Sequence, residues 1–192
     1  MRHRRALAAL CAAALATGLA GCRSGDEGST YSFHSPGGKV EIFYDEAERK
    51  PVKEFSGESL TTPGATVNLS DFDGQIVVLN AWGQWCAPCR AEVDDLEQVQ
   101  ESLAADGTGT VLGINVRDYN ADIARDFVAD NRVTYPSLYD PPFKTAASLG
   151  GVPSSVIPTT IVLDKQHRPA AVFLREVTAD DILAVVRAEA DA

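Results

Sequence analysis

The chain has 192 residues, 45% of them hydrophobic, and carries 17 Lys and Arg against 27 Asp and Glu, for a formal charge of −10. That length suits one well-filled core and not two. The acidity excludes nucleic acid as a partner and any purely electrostatic hold on anionic headgroups; it would favour basic polypeptides, although a solvated acidic surface accounts for the same composition.

In chain order, residues 1–22 open with Arg2, Arg4 and Arg5 and continue in an alanine-rich apolar run over 6–20. The run is too short for a good membrane span and reads as an export signal. Leu19-Ala20-Gly21-Cys22 closes it and resembles the lipobox of bacterial lipoproteins, which implies cleavage before Cys22 and acylation of Cys22, a lipid anchor on the extracytoplasmic face of the membrane. Removing that signal discards Cys11 and, with no acidic residue before Cys22, takes the formal charge from −10 to −13. Of the four cysteines only Cys86 and Cys89 then remain as free thiols, so no structural disulfide is available to the exported domain. Residues 23–39, rich in Gly and Ser, read as a tether. The expected organisation is a signal over 1–21, a lipidated cysteine and tether over 22–50, and one domain over 51–192.

Val40, Ile42 and Tyr44 alternate with Glu41 and Phe43, suggesting a short strand or a segment folded back on the domain, while the polar stretch 45–53 gives it little support. Residues 55–60 and 66–69, separated by Pro63-Gly64, read as a hairpin, and 71–74 as a turn. Ile76–Trp82 is a near-continuous apolar run of the kind found in buried parallel strands. A helix is expected over 86–104, with Val93, Leu96, Val99 and Leu103 on one apolar stripe. It is ended by 107–109 and followed by a strand over 111–116. Residues 121–129 read as a helix with Ile123, Phe127 and Val128 inward, 135–139 as a short strand and 143–149 as a short helix. Strands over 159–163 and 170–174 pair antiparallel across a turn, and Thr178 with Asp181 opens a closing helix that packs through Ile182, Leu183 and Val186. No repeat, coiled coil or second membrane segment is present in the sequence. Alternating strands and helices place the chain in the α/β class, with a central sheet covered on both faces.

The chemistry concentrates in Trp85-Cys86-Ala87-Pro88-Cys89, two thiols one helical turn apart directly after the apolar strand. Cys86 falls where a helix begins, so unpaired N–H groups and the positive end of the helix dipole favour its thiolate. It is the expected nucleophile and Cys89 the resolving thiol. Pro88 fits the first turn, where its missing donor had no intrahelical partner. A four-ligand zinc site needs two more Cys or His, yet the exported part offers only His34 in the tether and His167 in a turn, both expected exposed and inert. Covalent haem needs His after the second Cys, where Arg90 stands and is expected to snorkel to solvent. No metal or organic cofactor is expected.

Together with Ile157-Pro158-Thr159-Thr160 ahead of Ile161-Val162-Leu163, this stretch resembles the thioredoxin superfamily, and within it the extracytoplasmic thiol-disulfide oxidoreductases of the TlpA and ResA type. The resemblance runs from residue 67 to the C-terminus, anchored by LSDFDGQIVVLNAWGQWCAPCRAE and VIPTTIVLD. It implies a thioredoxin-like fold: a central mixed β-sheet flanked by helices, with an N-terminal β-hairpin and a central helix-strand insertion. It implies that Pro158 is cis and faces the thiols, and that a client strand pairs with Ile157 while its cysteine meets Cys86. Trp85, Ala87 and Pro88 would line that groove. Pro153 lacks a β-branched strand directly after it and is set aside. Trp82 reads as core or rim, and Asn80 as a hydrogen-bonded support for the active-site loop.

Glu92 lies one turn beyond Cys89. Alone it reads as a solvated helix glutamate; the resemblance implies a carboxylate that raises thiol pKa and shuttles the proton of the resolving thiol. The implied activity is reduction of disulfides in exported proteins such as apocytochrome c, with electrons from a membrane thiol carrier of the CcdA or DsbD type. Disulfide donation by the same residues is the nearest rival. A peroxiredoxin-like peroxidase would want Thr or Ser where Gly83 stands, and a Sco-like copper chaperone would want CxxxC and a downstream histidine ligand.

Overall fold

The computed structural model describes residues 30–190, so the signal, Cys11 and Cys22 lie outside the described residues. The short strands β1 (Glu41–Phe43), β2 (Ser56–Glu58) and β3 (Thr66–Asn68) precede the long apolar strand β4 (Ile76–Trp82). Two helices follow, α1 (Ala87–Ala91) and α2 (Val93–Asp106), and then β5 (Gly109–Asn115), α3 (Ala121–Asp130) and β6 (Ser137–Tyr139). The chain closes with β7 (Thr159–Leu163), β8 (Pro169–Phe173) and α4 (Ala179–Ala190). The main sheet has the order β1-β8-β7-β4-β5-β6, while β2 and β3 form the separate hairpin. Strand β4 pairs parallel with β5 and antiparallel with β7, so the sheet is mixed, as the resemblance implied.

All seven residues of β4 are buried, which is why the run is apolar except at Asn80. Alternation along the strand feeds two cores. Val77, Leu79 and Ala81 pack with Leu112, Ile114, Leu149 and Ile161 on one face. Ile76 and Val78 meet Leu96, Val99 and Leu103 of α2 and Ile182 and Val186 of α4 on the other. Helix α2 ends at Gly107, whose φ of 64° suits a residue without Cβ. Thr178 and Asp181 cap α4 reciprocally: the Thr178 N–H donates to Asp181 and the Asp181 N–H to the Thr178 hydroxyl.

The folded unit begins earlier than residue 51. Tyr31 is buried, its N–H bonds the Pro51 carbonyl, and the Phe33 N–H bonds that of Gly150. Strand β1 adds to the edge of the main sheet by pairing with β8. The polar stretch after it is anchored by Arg49, which meets Glu189 at 2.6 Å and Asp164 at 3.5 Å with all three side chains at or below 10% exposure. A tether over 23–39 and a domain start at 51 are therefore corrected for residues 31–50. Their polar composition hid contacts made across the sheet edge and the end of α4. Arg49→Met should cost about 3 kcal/mol, because it strands the buried Glu189 carboxylate while Asp164 keeps Arg168 at 2.7 Å, and urea unfolding at neutral pH measures this.

Other differences are local. The expected helix over 86–104 is interrupted at Glu92, whose ψ of −2° separates α1 from α2. In α3, Ala124 and Val128 face inward and Ile123 is 48% exposed, since the helix meets its neighbours through the 124/128 stripe. The strand expected over 135–139 is confined to β6, behind Pro136, and the helix over 143–149 is the single turn Lys144–Ala147, whose first N–H groups bond Asp140. His167 is buried and its Nε2 lies 3.1 Å from the Phe72 carbonyl. Asp164 accepts the N–H groups of Gln166 and Arg168, folding this turn onto the domain and carrying His167 inward. His34 is exposed as expected.

Candidate active site

The site assembles where β4 and β5 end, at the carboxyl edge of parallel strands. After Trp82 the chain needs Gly83: a Cβ there would lie 2.3 Å from Trp85 Nε1 and 2.8 Å from the Val116 carbonyl oxygen. Its absence lets the Trp85 indole fold back and donate to Val116 at 3.0 Å while staying 42% exposed. The Gln84 N–H donates to buried Asp118 at 2.8 Å, and Asp118 also accepts from Asn115 Nδ2 at 2.7 Å. The loop before the cysteines is thus held by a carboxylate from the loop that follows β5.

Cys86 is the N-cap of α1, with φ −89° and ψ 112°, and its Sγ accepts the Cys89 N–H at 3.3 Å. The two cysteines form a disulfide with 5.3 Å between their Cα atoms. The sulfur in the N-cap position stands where the Cys86 thiolate would sit after reduction, in the path of a free N–H. Both cysteines are nearly buried, at 3% and 2% exposure, whereas Ala87 and Pro88 of the same turn are exposed. Cys86 Sγ lies 3.7 Å from the Ile157 carbonyl oxygen. The Ile157–Pro158 peptide is cis, as the resemblance implied. Trp82 is core, stacked at a tilt on Phe127, and shares a small apolar cluster with both cysteines, Leu60, Ala124 and Val128.

Glu92 is fully buried and held at both carboxylate oxygens: Asn80 Nδ2 donates to Oε1 at 2.8 Å and the Val177 N–H to Oε2 at 3.0 Å. Asn80 also donates to Thr160 at 3.0 Å, and its own Oδ1 has no partner among the described residues. Burial pushes the Glu92 carboxyl up to about 7, against the lowering effect of Val177 and Asn80 and with help from Glu176 and Asp95. A solvated helix glutamate is ruled out by this burial, and Asn80 supports the carboxylate rather than the loop. Arg90 is exposed and donates to the Gln84 carbonyl at 2.8 Å.

The structure thus brings together Trp85, Cys86, Ala87, Pro88, Cys89, Ile157 and Pro158, with Glu92 on the inner side of the same helical segment. Cys22 lies outside the described residues. Asn115 and Asp118 were missed by sequence reasoning; an amide ending an apolar strand with a carboxylate three residues on was the signal that could have found them.

The sequence profile of the AhpC/TSA family matches residues 49–168. The thiol:disulfide interchange protein DsbE of Yersinia pestis is 34% identical over 118 residues, covering 61% of this chain and 58% of that protein. The thiol-disulfide oxidoreductase ResA of Geobacillus thermodenitrificans is 27% identical over 119 residues, 62% of this chain and 66% of that protein. Each match thus spans less than two thirds of the relative. The crystal structure of a secreted thiol-disulfide isomerase from Corynebacterium glutamicum superimposes with a TM-score of 0.83 at 66% identity, covering 86% of this chain and all of that one. Among the described residues, no helix is long and apolar enough to cross a membrane.

Proposed function

The chain belongs to the AhpC/TSA family, and from that premise we propose that it is an extracytoplasmic thiol-disulfide oxidoreductase that reduces disulfides of exported proteins through Cys86 and Cys89. One observation carries the reading: Cys86 Sγ sits at a helix start, accepting a main-chain N–H, while bonded to a cysteine one turn on. The names of the relatives, one of them a secreted protein, support the same chemistry and location.

In the reduced protein the Cys86 thiolate attacks one sulfur of the client disulfide. A Cys86–client bond forms, and the other client sulfur leaves as a thiolate that takes up a proton. Cys89 then loses its proton and attacks Cys86 Sγ, so the client leaves with both sulfurs reduced and the Cys86–Cys89 disulfide remains. Glu92 receives the Cys89 proton; a carboxyl pushed up to about 7 is poised for that exchange near neutral pH. The client strand lies along Ile157 beside Pro158, with Trp85, Ala87 and Pro88 as the opposite wall. A lipid on Cys22 tethers the domain to the membrane, a membrane thiol carrier of the CcdA or DsbD type restores the dithiol, and oxidised apocytochrome c is the client in cytochrome c maturation.

Equilibration with glutathione tests the direction of electron flow. A reductase is expected near the thioredoxin potential of about −270 mV, and a value near −120 mV, that of strong oxidants, would reverse the assignment to a disulfide donor.

A further inference from the structure

We infer that Arg117 is a positioning residue that sets the width of the client groove by tying its two walls together; this rests on the reading of Cys86 and Cys89 as a client-reducing pair. The guanidinium lies over the Trp85 ring at 5.6 Å and donates to the Ser154 carbonyl at 2.6 Å. Trp85 directly precedes Cys86, and Ser154 stands four residues before Pro158, in a turn closed by the Val156 N–H on the Pro153 carbonyl. One side chain therefore spans the loop that carries the thiols and the loop that carries the docking edge.

Further features bear on this arrangement. Among the described residues Arg117 has no carboxylate partner, although the chain has ten more acidic than basic residues. Its guanidinium is committed to a ring face and a main-chain carbonyl instead. Its backbone is left-handed, with φ 59°, a conformation that glycine adopts freely and a side chain opposes. The Arg117 N–H on the Pro141 carbonyl at 2.9 Å and the Trp85 indole on the adjacent Val116 carbonyl hold it there. Exposed Arg132 shares this backbone region at φ 56°, so it is the contacts with Trp85 and Ser154 that mark Arg117. The planar guanidinium is also the cation that can stack and donate in-plane at once, which an ammonium cannot.

Arg117→Gly relieves the backbone and removes the tie, so the thermal midpoint should hold while the groove loosens. With insulin as the disulfide probe and dithiothreitol as reductant, KM should rise about fivefold, the order expected for losing a cation–π contact and one hydrogen bond, with kcat within about twofold of wild type. Acrylamide quenching of tryptophan fluorescence, dominated by the exposed Trp85, should increase. Arg117→Lys should behave like the glycine variant in both readouts. Unchanged KM and unchanged quenching in Arg117→Gly would overturn the inference, as would full rescue by Lys. A wild-type chain inert toward insulin would instead sink the underlying functional reading, and the quenching comparison would still decide whether Arg117 holds Trp85.

Discussion

Cys86→Ala is expected to reduce the rate of client-disulfide reduction by on the order of a thousandfold or more, because it removes the nucleophile of a covalent mechanism. Cys89→Ala should differ in kind. It keeps the sulfur at the N-cap of α1, so the first exchange proceeds and the second cannot, and a mixed disulfide accumulates on Cys86. The asymmetry follows from position: Cys86 Sγ occupies the cap and faces the Ile157 carbonyl, whereas Cys89 lies one turn further along the helix. Mass spectrometry of the adducts formed by each variant with an oxidised client separates the two. Equal trapping on either cysteine would remove the assigned order of attack.

Glu92→Gln carries the second large effect. The variant keeps an acceptor for the Val177 N–H but cannot take a proton from Cys89, so the resolving step should slow by about a hundredfold and the pH–rate profile should lose its inflection near 7. Stability should change in the opposite sense. The folded carboxyl titrates near 7 against an ordinary 4.5, so the native state binds more protons than the unfolded state between those values, and stability falls as pH rises through that window. Below it Glu92 is neutral in both states and the penalty is absent; above it the penalty is complete, roughly 3 kcal/mol for a shift of that size. Glu92→Gln should therefore flatten this part of the stability profile and be the more stable protein at pH 8. Urea titrations of both proteins at pH 5 and pH 8 measure the difference. A parallel decline in wild type and variant would mean that Glu92 is not the group being ionised.

The legible features were those written in local pattern. Ile76–Trp82 announced a central strand because burial on both faces favours a near-continuous apolar run, and α2 announced its inner stripe through Val93, Leu96, Val99 and Leu103. Cys86 and Cys89 stood out through their spacing and Ile157-Pro158 through the family resemblance, and the fold brings them together across 71 residues. What stayed hidden depends on partners far away in the chain. Arg49 is polar and sits among polar neighbours, yet it is buried against Glu189, 140 positions on. His167 looks like a turn residue until Phe72 and Asp164 draw it inward. Glu92 stands one turn beyond Cys89 by spacing, unlike Glu97 or Glu101, but only the approach of Asn80 and the Val177 main chain makes it a buried acid. Asp118 escaped for the same reason, since its role is defined by the Gln84 N–H of a different strand's loop.

The central claim is that Cys86, at the helix start, is the reactive thiol of the pair. Limited alkylation of the fully reduced protein with substoichiometric iodoacetamide at neutral pH, followed by peptide mapping, tests it most directly. Modification is expected at Cys86 in large excess over Cys89, by about tenfold or more, as the N-cap position favours thiolate character at Cys86. Preferential labelling of Cys89, or equal labelling of the two, would contradict the account.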